Sequence, residues 1–322
     1  MPKLSLEDGK HGPERWPAVA VVIPARNEAA NIPACLAAIA AQDYPTGLVS
    51  VVVMDNGSTD RTRELAEQSG AVVLEDVTST IAGLRNRGAT VHGGEVLAFI
   101  DADMIPSSTW LKEAVPVLRE DRVGAVGGML NIPADVGWVE RAWCVNRQTK
   151  PEKAEFGWLP SGNLFINRAA FEAIGGFDAQ LTTCEDIDIC ARLREAGYKL
   201  MFVKKASVVH TGESKSARAM FRKELWRGKN SIGRLPVIVK NPREMPSILL
   251  PFAQLVLFLL PLPLAMVGRF DLALASLLLT LGLPLLRSVL ISLKLKTLDY
   301  FVPLIGVWYI YYLARAAAIV VR

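Results

Sequence analysis

Acidic residues are nearly missing from the end of this 322-residue chain, where Asp271 and Asp299 are the only ones after residue 246. Leu, Val, Ile, Ala and Pro fill this region instead, and they raise the hydrophobic share of the whole chain to 51%. The first 240 residues have an ordinary globular composition. The apolar excess therefore belongs to a separate C-terminal region, which excludes a purely soluble enzyme.

Cysteine is also scarce, and the four residues present (Cys35, Cys144, Cys184 and Cys190) form no CxxC pair. This pattern argues against a disulfide framework and favours reduced thiols in the cytosol. The polar segment 1–16 lacks the apolar core of a signal peptide, so we expect no secretory signal. The net charge is +4, and no motif for nucleic-acid binding is found, so we expect no nucleic-acid partner.

Short apolar runs alternate with helical patterns in the first half of the chain, which predicts an α/β domain with a mainly parallel sheet. Strands are predicted at Ala18–Ile23, Val49–Met54 and Val96–Ile100, and polar loops follow them at 24–28, 55–60 and 101–103. The carboxyl ends of parallel strands meet at one edge of a sheet, where ligands bind. The three loops should therefore line one nucleotide-sized site. Two short extended pieces are predicted further on, at Leu200–Val203 and Ala206–Val209.

Two carboxylates follow the buried strand 96–100. Asp101 and Asp103 should point the same way, because side chains in extended chain alternate with a period of two. Such paired carboxylates are suited to Mg²⁺ or Mn²⁺, which prefer oxygen ligands. The spacing alone leaves a simple polar loop as the alternative.

A second acidic group, Glu185, Asp186 and Asp188, opens a predicted helix that ends at Gly197. These acids either cap the helix or supply a catalytic base, and the helix dipole favours their ionised form. The periodicity does not choose between Asp186 and Asp188. His210 ends an extended piece and is either a metal ligand or a packed imidazole.

Six short motifs in this order resemble glycosyltransferase family 2, whose members are inverting enzymes with the GT-A fold. The resemblance covers residues 18–212. The motifs are Pro24-Ala-Arg-Asn-Glu28, Asp55-Asn-Gly-Ser-Thr-Asp60, Arg85-Asn86, Asp101-Ala-Asp103, Gly175-Gly-Phe-Asp178 and Glu185-Asp186-Ile-Asp188. The resemblance implies a GT-A nucleotide-diphospho-sugar transferase fold with a Rossmann-like, mainly parallel sheet, followed here by C-terminal transmembrane helices.

The resemblance also implies roles for individual residues. Asp186 would be the catalytic base, with Glu185 beside it, and Asp103 and His210 would bind a divalent metal, Mn²⁺ or Mg²⁺. The nucleotide-sugar site would contain Pro24, Arg26, Asn27, Glu28, Asp55, Ser58, Arg85, Asn86, Asp101 and Ala102.

Two departures from the family pattern limit what it implies. Asn56 stands where the family often has a second acid, so the nucleotide base stays open. Processive members carry a Gln-x-x-Arg-Trp segment, whereas this chain has Glu224-Leu-Trp226-Arg227 in the corresponding region. We therefore expect a non-processive enzyme.

The C-terminal region contains three apolar segments of about 20 residues, long enough to cross a bilayer as helices. They are Ile248–Gly268, Leu272–Leu293 and Tyr300–Val321. Their prolines would allow one segment to be re-entrant or interfacial. We expect Arg287 and Arg315 to extend to the membrane surface, where Arg287 would contact an anionic headgroup if it binds lipid.

A basic stretch precedes these segments, with only Glu224 opposing Lys215, Arg218, Arg222, Lys223, Arg227, Lys229, Arg234, Lys240 and Arg243. Such a stretch favours an anionic membrane surface on the cytosolic side. Residues 216–231 should form a basic amphipathic helix on that surface.

The sequence therefore predicts four regions: a polar N-terminal segment (1–16), a GT-A catalytic domain (17–213), a basic amphipathic juxtamembrane region (214–246) and a transmembrane region (247–322). The predicted protein is a multi-pass protein of the cell inner membrane, with its catalytic domain in the cytosol. It would be a metal-dependent inverting glycosyltransferase that moves a sugar from a nucleotide sugar to a lipid-linked or membrane-held acceptor, in polysaccharide or glycolipid biosynthesis. The alternatives are a nucleotidyltransferase and a non-catalytic membrane scaffold. The absence of glycine from Pro24–Glu28 counts against the first, and the intact acids count against the second.

Overall fold

A computed structural model describes residues 15–45, 47–228 and 246–320. Most of the predicted N-terminal segment and part of the basic stretch, including Lys229, Arg234, Lys240 and Arg243, lie outside the described residues. The strands are β1 (Val19–Ala25), β2 (Val49–Asp55), β3 (Val72–Glu75), β4 (Val96–Ile100), β5 (Met104–Pro106), β6 (Val123–Asn131), β7 (Lys153–Glu155), β8 (Asn163–Asn167) and β9 (Lys199–His210).

The helices of the catalytic part alternate with these strands. They are α1 (Ile32–Ala40), α2 (Thr62–Gln68), α3 (Ile81–Ala89), α4 (Trp110–Ala114), α5 (Trp138–Val145), α6 (Arg168–Ala173), α7 (Glu185–Glu195) and α8 (Ala217–Gly228). The apolar end of the chain forms α9 (Pro246–Leu259), α10 (Pro261–Met266), α11 (Phe270–Leu279), α12 (Gly282–Leu295) and α13 (Phe301–Val320).

One mixed sheet joins all of these strands in the order β3-β2-β1-β4-β8-β6-β9-β5, and β7 pairs with the edge of β9. The strands β3, β2, β1 and β4 are parallel, which confirms the expectation for the first half of the domain. The second half departs from a mainly parallel sheet, because β8 runs antiparallel to both β4 and β6. This reversal brings the loop after β4 close to the loop before β8, where Asp101 N–H donates to the Gly162 carbonyl at 3.3 Å.

The sheet is buried on both faces, as the unbroken apolar runs of β1 and β4 predict. Val19, Val21 and Ile23 of β1 face a core that also contains α1 and α4. Ala20 and Val22 face the opposite core, which is formed with α3, α6 and α7. The central strands β1 and β4 are buried along their whole length, whereas β3 at the edge of the sheet is partly exposed.

Some local details differ from the sequence predictions and others agree with them. The two extended pieces around 200–209 form one continuous strand, β9, because pairing with β6, β5 and β7 holds it along its length. Helix α2 begins at Thr62, directly after the predicted loop 55–60 and Arg61, and the Asp60 carboxylate accepts the Thr62 backbone N–H at 3.0 Å. Helix α7 begins at Glu185, as expected, directly after Cys184 in a left-handed conformation (φ 67°).

The apolar region contains three stretches long and apolar enough to cross a membrane: Leu249–Met266, Phe270–Leu295 and Phe301–Val320. Proline interrupts the first of them, since Pro261 starts α10 after α9 has ended at Leu259. Within the protein, the Arg287 guanidinium lies 4.7 Å from the centre of the Trp308 ring, and Arg315 lies 3.0 Å from the Glu224 carboxylate. Both arginines therefore have protein partners, which the sequence pattern did not indicate.

Candidate active site

The loop between β4 and β5 carries Asp101, Ala102 and Asp103. Ala102 is buried, while the two carboxylates on either side of it contact different partners. Asp101 binds Arg85 and Asp103 binds His210. Burial raises the pKa of Glu28, although the hydrogen bond from Asn31 opposes this shift. The nearby negative charges of Asp103 and Asp101 raise the pKa further. The first loop therefore lies close to the acidic loop, as the parallel strands β1 and β4 require.

A buried guanidinium links the acidic loop to the helix that carries the candidate base. Arg85 on α3 is only 1% exposed, and it donates to Asp101 Oδ1 and to Glu185 Oε1, both at 2.8 Å. Ser161 Oγ also donates to Glu185 Oε1, at 3.1 Å. The pair of carboxylates satisfies a charge that would otherwise be costly to bury. This bridge fixes the start of α7 relative to the acidic loop.

Asp186 stands next to this bridge but does not take part in it. Its carboxylate is half-buried and accepts the Ile187 backbone N–H at 2.8 Å. Burial, followed by the charge of Glu185, raises the pKa of Asp186 to about 6, although hydrogen bonds to Ile187 and Trp158 oppose the shift. Asp188 is committed elsewhere, because it pairs with Arg192 at 2.6 Å. The tertiary contacts thus distinguish the two acids that the helical pattern could not separate.

Asp103 belongs to a second polar group at the end of β9. Its Oδ2 lies 3.1 Å from His210 Nε2, and His210 Nδ1 lies 3.1 Å from Glu213 Oε1. Burial lowers the pKa of His210, but the hydrogen bonds to Asp103 and Glu213 outweigh it and raise the pKa to about 9. Arg147 holds Glu213 by an ion pair at 2.5 Å. A buried carboxylate on the far nitrogen is the usual way in which a metal-binding histidine is oriented.

This group fits a hard divalent cation. A carboxylate oxygen and an imidazole nitrogen lie side by side, and both are acceptable ligands for Mn²⁺ when the cation takes the place of the His210 Nε2 proton. The backbone leaves room only because residue 212 is glycine, since a Cβ at Gly212 would lie 1.8 Å from Asp103 Oδ2. Within the described residues no group of three or more His, Cys, Asp or Glu side chains could hold a metal by itself. Substrate oxygens would have to complete the coordination, as is common for metals that bind phosphates.

The loops after β1 and β2 hold each other at the sheet edge. Asn27, in a left-handed conformation (φ 57°), donates its backbone N–H to Ser58 Oγ at 2.9 Å and accepts the Thr59 N–H at 2.8 Å. Asp55 is fully buried, and its Oδ2 accepts the N–H groups of Gly57 and Ser58. Its Oδ1 has no hydrogen-bond partner within the described protein. A buried carboxylate oxygen without a donor is uncommon in folded proteins and calls for an explanation.

The remaining predicted site residues are placed as follows. Pro24 lies inside β1, where it pairs with Met54, and not in the loop that was predicted at 24–28. Arg26 is exposed in the loop directly after β1. Asn86 forms two hydrogen bonds with the backbone of Phe177, at 2.7 and 2.8 Å, and so supports the Gly175–Gly176 turn. Contacts of Arg85 and Asn86 with a nucleotide stay a prediction.

Sequence reasoning missed three contributors to the site: Glu213, Arg147 and Ser161. Glu213 follows His210 by three residues, and this spacing is the only local signal that pointed to it. Arg147 and Ser161 come from segments in which the sequence pattern is irregular. Only the pairing of β6, β8 and β9 brings these segments to the same edge.

Residues 17–229 match the sequence model of a family described as glycosyltransferase like family 2. Among curated proteins, the glycosyltransferase AglE of Haloferax volcanii is 32% identical over 225 residues, which are 67% of this chain and 73% of that protein. A beta-monoglucosyldiacylglycerol synthase of Nostoc sp. is 26% identical over 55% of this chain and 41% of its own length. The solved structure of the mannosyltransferase PcManGT from Pyrobaculum calidifontis, in complex with GDP-Man and Mn²⁺, aligns with a TM-score of 0.60 at 20% identity, covering 94% of this chain and 87% of that one.

Proposed function

Because this chain belongs to the family-2-like glycosyltransferases, we propose that it transfers a sugar from a nucleotide sugar to a lipid-linked or membrane-held acceptor. The predicted family, the GT-A fold and the glycosyltransferase activity are confirmed. The proposal adds a divalent metal, inversion at the anomeric carbon and a single, non-processive transfer. It also places the catalytic domain on the cytosolic face of the inner membrane, in polysaccharide or glycolipid biosynthesis.

The pKa of Asp186 is the main support for the mechanistic part of the proposal. A general base needs a carboxylate that is ionised at the working pH yet basic enough to accept a proton. A pKa of about 6, set by burial and by Glu185, satisfies both conditions. Asp186 would accept the proton of the acceptor hydroxyl as its oxygen attacks the anomeric carbon. Direct attack on the face opposite the leaving nucleotide inverts that carbon.

The donor would lie along the edge formed by the loops after β1, β2 and β4. The unpartnered Asp55 Oδ1 is suited to accept an N–H of the nucleotide base. Arg85 forms ion pairs with both Asp101 and Glu185. It would therefore keep a constant distance between the loop that binds the donor and the helix that carries the base. Asp103 and His210 would hold the divalent cation, which when bound neutralises charge on the departing diphosphate.

The acceptor assignment is supported by the apolar region. Three stretches of α9–α13 are long and apolar enough to span a bilayer. Helix α8 pairs with the third of them through Glu224 and Arg315, and its Lys223 Nζ lies 3.9 Å from Glu213, next to Asp103 and His210. A soluble acceptor would give no physical reason for such an anchor. The similarity to a synthase named for a glucosylated diacylglycerol is consistent with an acceptor in the membrane.

Transfer assays on the detergent-solubilised full chain test the proposal. A panel of nucleotide sugars is first screened for thermal stabilisation with Mn²⁺, since a bound donor raises the melting temperature. Turnover of the selected donor is then compared for wild type, D186N and D188N. We expect D186N to lose about 10²–10⁴-fold in rate, and D188N to stay near wild type because the Asp188 carboxylate is already paired with Arg192. Equal rates for wild type and D186N would refute Asp186 as the base, and absence of turnover in all three would favour a scaffold.

A further inference from the structure

The third apolar stretch, α13, contacts the catalytic side of the molecule along most of its length. At its start, the Trp138 ring of α5 lies against Gly306, where a Cβ would be 3.5 Å away. In the middle, the Trp143 ring centre lies 5.4 Å from that of Trp308 and 5.6 Å from that of Tyr311. These contacts, on successive turns, place α5 against the first half of α13.

The second half of α13 is covered by α8. Arg315 forms an ion pair with Glu224 at 3.0 Å, and Glu224, whose side chain is 3% exposed, also pairs with Arg227 at 2.7 Å. At the end of the same face, a Cβ on Gly228 would lie 2.5 Å from the Ala318 Cβ. From Gly306 to Ala318 the contacted face extends over about 18 Å, at 1.5 Å per residue.

Helix α8 is held at the level of the active site. Lys223 Nζ donates to the Gly212 carbonyl at 3.0 Å, next to the metal-binding group. Arg218 and Arg222 of α8 are exposed. If α13 crossed the bilayer, α8 would be drawn with it into the hydrocarbon, and each of these arginines would cost about 2.5–3.5 kcal/mol at the bilayer centre.

The composition of α13 differs from that of the other two stretches. It carries Trp308, Tyr309, Tyr311 and Tyr312 in its middle, whereas Leu249–Met266 and Phe270–Leu295 contain no Trp or Tyr. These two residue types are enriched at the membrane–water interface rather than at the bilayer centre. Within an 18-residue apolar window of each stretch, the protein buries 39% for α13, compared with 11% for Leu249–Met266 and 28% for Phe270–Leu295.

We propose that α13 lies in the membrane–water interface beneath the catalytic domain and does not cross the bilayer. The membrane anchor is then one helical hairpin, formed by Leu249–Met266 and Phe270–Leu295. Arg269 and Asp271 lie at its turn, on the side of the membrane opposite the catalytic domain. Helices α5, α8 and α13 form a platform that rests on the lipid headgroups and sets the height of the active site above them. This topology does not depend on which sugar or acceptor the enzyme uses.

Topology measurements on the full chain in bacterial cells test the proposal. Green fluorescent protein, which fluoresces in the cytosol, and alkaline phosphatase, which is active only outside it, are appended in turn to Arg322. Two reference positions, M266C at the end of the first stretch and L298C in the link before α13, are labelled with a membrane-impermeant maleimide. Both side chains are well exposed. Mass spectrometry of the labelled peptides scores these positions separately from the native cysteines.

The expected result is a fluorescent C-terminal fusion, an inactive phosphatase fusion, labelling of M266C in intact spheroplasts and labelling of L298C only after lysis. An active phosphatase at Arg322 would show a third crossing and would overturn the proposal. Labelling of M266C only after lysis would also overturn it, because the hairpin would then not cross. Neither outcome bears on Asp186 or on the transfer reaction.

Discussion

Replacing Asp186 by Asn should make the protein more stable at neutral pH while removing its activity. The carboxylate is held in a site that disfavours its charge, since burial and Glu185 raise its pKa from 3.8 to about 6. Asparagine has nearly the same shape and carries no charge. Its oxygen can still accept the Ile187 N–H, and its half-buried amide stays in reach of water.

The size and sign of the effect follow from proton linkage. A shift of about two pKa units corresponds to at most about 3 kcal/mol at 1.4 kcal/mol per unit, and partial solvent exposure reduces this to about 1–2 kcal/mol. Above pH 6 the group is ionised in the folded and the unfolded protein, so the full penalty applies to the wild type. Between pH 6 and 3.8 the folded state binds more protons than the unfolded state, and the penalty shrinks. Below 3.8 it is absent.

Thermal unfolding of wild type and D186N at pH 8 and pH 5 measures this difference. We expect D186N to melt about 2–8 °C higher at pH 8, with roughly half of that gain at pH 5. The matched control is D188N, which loses the ion pair with Arg192 and should melt slightly lower at both pH values. A D186N variant that is less stable than wild type, or whose gain does not depend on pH, would refute the assigned environment of Asp186. The wild-type rate should also fall about tenfold per pH unit below pH 6.

Further predictions concern the group formed by Asp103, His210 and Glu213, and the buried ion pairs of Arg85. Gly212→Ala should displace the Asp103 carboxylate, because the added Cβ would lie 1.8 Å from its Oδ2. We expect it to abolish thermal stabilisation by Mn²⁺ and to lower turnover at least about tenfold, whereas Gly93→Ala, with no atom within 4 Å, should behave as wild type. Arg85→Ala removes the buried cation that pairs with Glu185 and with the partly exposed Asp101, and it should cost about 3–5 kcal/mol in unfolding free energy. The exposed control Arg61→Ala should lower the unfolding free energy far less. Thermal stabilisation of Gly212→Ala by Mn²⁺ to the wild-type extent would contradict the first assignment. Equal losses of unfolding free energy in Arg85→Ala and Arg61→Ala would contradict the second.

The sequence identified most of the fold and the chemical types of the site residues. Unbroken apolar strands, each followed by a polar loop, are enough to predict a sheet buried on both faces with its polar loops at one edge, because strand burial and loop position depend on local pattern. The acidic loop at 101–103 and the acids that open α7 were found for the same reason. The three apolar stretches also follow from composition and length alone.

Only the tertiary structure decided how these residues are paired. Arg85 joins carboxylates that are 16 and 100 residues away in the chain, and Asp103 meets His210 across 107 residues, so no local periodicity records either contact. The same contacts determine which acid remains available: Asp188 is taken by Arg192, and Glu185 by Arg85 and Ser161, which leaves Asp186 in a site that raises its pKa. Local sequence determines which elements form, because hydrophobic burial follows the period of the strand or helix. Which charges meet depends on contacts between distant segments, and these exist only once the sheet has assembled.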